Sequence, residues 1–139
     1  MKKQLITAVV IASSITALTA FADKAQRDTM TKNILPRVEA AAASFKAACG
    51  CPLSITVDES TVKAKDDLYK FGYMADSIKT SAPKYCTDAS SKKAMCQLTT
   101  LTFVRADKAG FTFNAGKGVL ATDGSASAEW PQMTKVLDK

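Results

Sequence analysis

The chemistry open to this 139-residue chain is bounded first by an omission, for it contains no histidine. That removes Ser-His-Asp and Cys-His nucleophile systems, histidine-bearing zinc sites and the usual general base near neutral pH. Serine-lysine chemistry needs a lysine spaced to take the serine proton, and S-x-x-K occurs three times, at Ser60/Lys63, Ser81/Lys84 and Ser90/Lys93. Neither S-D-N nor K-T-G accompanies any of them, so the three read as solvated surface residues. Asp58/Glu59 and Asp66/Asp67 are paired carboxylates, but neighbours in sequence diverge, whereas glycosidic chemistry needs two carboxyl groups facing one bond. They read as turn residues and helix-dipole partners. Gly116-Lys117-Gly118 resembles a fragment of a phosphate loop, but it joins two strands instead of leading into a helix, which makes it a hairpin turn. No catalytic residue, metal ligand or cofactor is assigned.

The sharpest constellation is Cys49-Gly50-Cys51, with Cys86 and Cys96 as the other two cysteines. A bridge between Cys49 and Cys51 would span one glycine and strain the geometry a disulfide prefers. Two bridges joining Cys49 and Cys51 to Cys86 and Cys96 are therefore favoured; the sequence does not choose between the two such arrangements, nor does it exclude the local one. The other reading is a thiol redox pair or, with methionines, a soft-metal site. A redox pair gains from a helix N-terminus, whose positive dipole favours the thiolate, whereas this pair follows the C-terminal end of an expected helix.

Residues 1–22 have the form of a cleavable signal peptide. Met1-Lys2-Lys3 is a positive leader, residues 5–18 are apolar apart from small hydroxyl residues, and Ala20-Phe21-Ala22 before Asp23 fits an A-x-A cleavage site. The apolar run is too short and too interrupted for a spanning helix, and no cysteine stands at the cut, so no stable membrane anchor is expected. Periplasmic or secreted localisation follows, and an oxidising compartment makes bridged cysteines the first expectation. The formal charge is +6; cleavage takes Lys2 and Lys3 from the 19 basic residues and leaves 17 against 13 acids, about +4. That excess is scattered, unlike the basic stripe of a nucleic-acid binder.

Residues 23–139 have the length of one globular domain. Met30, Ile34, Val38, Ala41, Phe45 and Ala48 recur at helical spacing, giving an N-terminal amphipathic helix over 28–48, kinked or divided at Pro36. Residues 53–57 alternate as a first strand. Leu68, Phe71, Met74 and Ile78 favour a second helix over 66–82, although Tyr69, Phe71 and Tyr73 also alternate at strand spacing. Thr87 is placed to cap a short helix running to Met95, with Cys86 and Cys96 at its ends. Residues 97–105, 111–113 and 119–122 read as three strands joined by short glycine-bearing turns, an antiparallel meander. A small-residue loop over 123–127 leads to a closing helix over 131–137 that carries Met133 and Leu137, with Trp130 just before it. The expected fold is α+β: an antiparallel sheet of about four strands packed by helices and stapled by disulfides.

Tyr69 and Tyr73, four apart on the second helix, are a candidate contact patch if that face is exposed. Export, a bridged frame and missing catalytic groups together predict a non-enzymatic module that binds an envelope or extracellular protein or a small ligand. A redox or metal protein using the Cys-Gly-Cys pair stands second, and a histidine-free secreted enzyme or toxin third.

Overall fold

A computed structural model describes residues 24–125 and 129–139. The expected signal peptide over 1–22 lies outside the described residues, as does the end of the expected 123–127 loop. The first described element is α1 (Lys24–Thr29), followed by a π-helical turn (Met30–Ile34) and α2 (Leu35–Cys49). Pro36 accounts for the interruption. Its ring offers no N–H and crowds the carbonyl four residues back, so the hydrogen-bond ladder ahead of it widens by a residue. The path stays helical, since Thr29, Ile34 and Leu35 all keep right-handed helical backbone. Met30, Ile34, Val38, Ala41, Phe45 and Cys49 are buried along this path.

β1 (Ser54–Val57) leads through a 3-10 turn (Glu59–Thr61) into α3 (Lys65–Tyr85). Residues 69–73 are therefore helical, and Leu68, Phe71, Met74, Ala75 and Ile78 bury the inner stripe of α3. Pro83 lies within the last turns of α3 and cannot donate to the Lys79 carbonyl. The Ser44 hydroxyl of α2 donates to that carbonyl instead, at 2.8 Å, so the proline tolerated in one helix is compensated by its neighbour. α4 (Ala89–Met95) follows, capped by the Asp88 carboxylate, which accepts from Ser91 N at 2.8 Å. Asp88, not Thr87, is the cap because its side chain sits at the spacing that reaches the third backbone N–H.

β2 (Thr100–Arg105), β3 (Gly110–Asn114) and β4 (Lys117–Thr122) complete a four-stranded sheet, and α5 (Glu129–Leu137) ends the elements. The sheet is mixed, which corrects the expected antiparallel sheet and its meander. Strand order is β1-β2-β4-β3: β2 pairs in parallel with both β1 and β4, and only β3 and β4 are antiparallel. Two connections decide this. The run from β1 to β2 carries two helices, and a crossover of that length returns a strand parallel. Residues 106–109 between β2 and β3 can span up to about 13 Å, enough to step across two strand spacings of about 4.8 Å and leave room for β4 between them. The hairpin from β3 to β4 uses Ala115 at φ 50° and Gly116 at φ 84°, the left-handed pair that a tight two-residue turn requires.

Leu101, Phe103 and Leu120 point from the sheet into the core at 0% exposure, and the Phe103 ring stacks 6.4 Å from Phe71 of α3. α5 closes the layer with Trp130, Met133 and Leu137 buried. The fold is thus α+β with a mixed four-stranded sheet. Among the described residues no helix is long and apolar enough to cross a membrane.

Both disulfides join the Cys-Gly-Cys segment at the end of α2 to the flanks of α4. Cys49 bonds Cys86, with Cα atoms 5.1 Å apart, and Cys51 bonds Cys96 at 5.9 Å. α4 has seven residues and buries only Met95. A helix so short is marginal on its own, so its position rests on the two staples at its ends.

Candidate functional site

All four cysteines are bridged. Among the described residues no group of three or more cysteine or acidic side chains could hold a metal ion. The other sequence-derived site residues, Tyr69 and Tyr73, both lie on α3. They part company there: Tyr69 is half-buried while Tyr73 is 56% exposed.

The surroundings of Tyr73 are built from two helices. Arg37 of α2 brings its guanidinium carbon to 5.4 Å from the centre of the Tyr73 ring, and Lys70, one turn back on α3, brings its ammonium to 5.8 Å. A cation over an aromatic face is attracted by the ring quadrupole, so both cations gather at a phenol that remains open to solvent. Arg37 is itself fixed. It donates from Nε to Asp76 Oδ1 at 3.2 Å, from Nη2 to Asp76 Oδ2 at 2.5 Å and from Nη1 to Asn33 at 3.2 Å. The hydrogen bond to Asp76 raises the Arg37 pKa further above its ordinary value, against an opposing effect of burial. Gly72 makes this crossing feasible, because a Cβ there would lie 2.6 Å from the Arg37 guanidinium carbon. The result is an exposed aromatic ring with two cations and one carboxylate around it.

A second polar cluster sits where the parallel strands end. Arg105, the last residue of β2, donates from Nε to Asp67 Oδ1 at 3.1 Å. The other Asp67 oxygen accepts from the backbone N–H groups of Lys63 at 2.8 Å and Ala64 at 3.0 Å, capping α3. Burial alone would push the Asp67 carboxyl up; the two backbone hydrogen bonds and Arg105 outweigh it and hold the group below the usual carboxylate range. Every oxygen is spoken for, so this cluster is a structural joint between α3 and the sheet. Asp66, its neighbour, is exposed.

The three S-x-x-K pairs separate by location. Ser60 gives its hydroxyl to Asp58 and Lys63 pairs with Asp107 at 3.2 Å, which turns that pair apart. Ser81 and Lys84 lie in the last turns of α3. Ser90 and Lys93 of α4 line a half-open cavity of about 380 Å³ shared with Gln97 and the C-terminal end of α5. Beside it Tyr85 donates its hydroxyl to Asp138 and sets its ring edge-on to Trp130 at 5.8 Å. Burial, and then the Asp138 hydrogen bond and charge, push the Tyr85 phenol up to about 12. Tyr85 should therefore ionise well above the ordinary tyrosine value in an absorbance titration, and Asp138→Asn should bring it down. Because the folded pKa is the higher one, stability should decline as pH rises from about 10 through that value.

Sequence reasoning did not identify Arg37, Lys70 and Asp76 as neighbours of Tyr73, nor the Asp67–Arg105 joint. The one signal for the first was Gly72, a glycine inside a helical pattern, which marks close approach of another group. Compared with protein-family models, curated proteins and solved structures, the chain matches none of them.

Proposed function

We propose that this protein is an exported, non-enzymatic binding module that docks a partner protein through the surface centred on Tyr73. One observation carries the reading: a tyrosine 56% exposed stands beside two cations, Arg37 and Lys70, and Arg37 is held in place by Asp76 and Asn33. Tyrosine and arginine are enriched at interface centres, and a side chain already ordered loses little entropy on binding. The two flanking cations favour a partner that offers an apolar notch rimmed by acidic groups. The paired cysteines and the leader over 1–22 support a working place in the periplasm or outside the cell.

The test compares capture of an envelope or extracellular partner by the wild type and two variants. Tyr73→Ala should weaken it at least about thirtyfold, the effect of a hot-spot residue. Gly72→Ala should weaken it too, for a different reason: its methyl evicts the Arg37 guanidinium, and the better helix propensity, up to about 1 kcal/mol, offsets only part of the loss of a half-buried ion pair. Its melting temperature should therefore fall by a few degrees while the fold is kept. Capture undiminished by Tyr73→Ala would remove this surface from consideration.

A further inference from the structure

α2, α3 and α5 all meet the sheet on its inner side, where Leu101, Phe103 and Leu120 are buried. The pleat sends alternate residues to the other side. One row across that outer face is Thr56, Thr102, Val119 and Thr112, in register on β1, β2, β4 and β3. Thr56 and Thr102 share a hydroxyl hydrogen bond at 3.2 Å, Thr56 and Thr112 are exposed, and Val119 is 38% exposed. Among the described residues no element covers this row.

Two properties set the face apart from an ordinary solvated one. β1, β2 and β4 run parallel, and parallel strands usually carry cover on both faces, whereas this chain covers one. Two residues of β1 and three of each other strand lie on the outer face, and Lys117 is the only charged one, in a chain that is 23% charged. Depletion of charge marks the buried centre of a protein interface.

We propose that two copies of the chain pair through this face, sheet against sheet. A two-fold axis along the strands, between β2 and β4, lays the β1–β2 half of one copy over the β4–β3 half of the other and keeps the sheets aligned. Thr102 then faces Val119 of the second copy. Lys117 faces the hydroxyl of Thr100, an acceptor, instead of a second ammonium, and Asn114 faces Ser54. Four strands about 4.8 Å apart and about five residues long give roughly 320 Å² in projection. With the relief of the side chains the pair buries on the order of 1,000 Å² in total, the lower limit for a specific interface, so the dimer is a weak one. Tyr73, exposed on the helical layer, stays open in it.

Sedimentation equilibrium of the chain purified from the exported fraction tests this. The average mass should rise from one chain towards two with a dissociation constant of about 10–100 µM. Amide shifts that change with concentration should map to β1, β2 and β4 and leave α2 and α3 unmoved. Val119→Lys sets like charges close to the axis and should weaken pairing at least about thirtyfold. Ala43→Lys adds the same charge on the exposed side of α2 and should change pairing less than about twofold. A single chain at every concentration, a dimer that survives Val119→Lys, or equal losses in the two variants would each overturn the proposal. So would sheet resonances that shift only when envelope extract is added, which would assign the face to a different protein. The concentration-dependent shifts of the wild type locate the contact without any variant.

Discussion

Replacing Cys49 and Cys86 together by alanine should lower the unfolding free energy by about 4 kcal/mol on chain entropy alone, since the bridge closes a sequence separation of 37 residues. Against the 5–15 kcal/mol typical of a domain, that is a large share. The Cys51/Cys96 double variant, at a separation of 45, should lose about the same entropic contribution. The two differ in packing. Cys49 and Cys86 are 2% and 5% exposed, whereas Cys51 and Cys96 are half-buried, so the first variant should fall further by the packing its sulfurs lose. Urea unfolding measures both, and the slope should steepen because the uncrosslinked unfolded chain exposes more surface. A loss below about 1 kcal/mol in either variant would mean that the staples do not limit the unfolded ensemble as described.

Asp67→Ala should be the costliest single polar substitution, at about 3 kcal/mol. It strips α3 of its cap and leaves Arg105, whose side chain is 18% exposed, without its carboxylate. The residual water access of Arg105 keeps the loss at the lower end for a broken buried pair. Acidification should reproduce part of it. The folded pKa of Asp67 lies below its unfolded value, so its contribution is complete above about pH 4 and is lost as pH falls through the folded value. Asp67→Asn should therefore be less stable at neutral pH and show a shallower decline in acid. Parallel acid curves for wild type and Asn variant would show that Asp67 is not a major source of the acid sensitivity.

The features legible in the sequence were those set by local chemistry. Apolar spacing from Leu68 to Ile78 outweighed the alternation of Tyr69, Phe71 and Tyr73 because a helix stripe has to persist for several turns, and this one does. The cysteine count and the one-residue gap at Gly50 favoured the two long bridges, but only the fold selects Cys49 with Cys86 and Cys51 with Cys96. Strand order was not legible. β2, β3 and β4 follow one another with short turns in either arrangement, and β4 lies between its predecessors because residues 106–109 step over one strand. The same limit applied to the site. Tyr73 was singled out by its type and its i,i+4 relation to Tyr69, yet the groups that hold it come from residues 36 positions away at Arg37, for which local periodicity carries no information. The place of Asp67 in the first turn of α3 marks it as a helix-dipole residue. Its second role became visible only when β2 delivered Arg105 to the same end of the sheet.

The most direct measurement of the central claim is site-specific photo-crosslinking in the cell envelope or exported fraction. A photoreactive residue at Ser77, one turn after Tyr73 on α3, is compared with one at Thr112, exposed on β3 of the sheet. Docking through the Tyr73 surface predicts a discrete adduct with a different protein from position 77, abolished by Tyr73→Ala, and none with a different protein from position 112. An adduct with a different protein from position 112 and none from position 77, or one from position 77 that survives Tyr73→Ala, would contradict it.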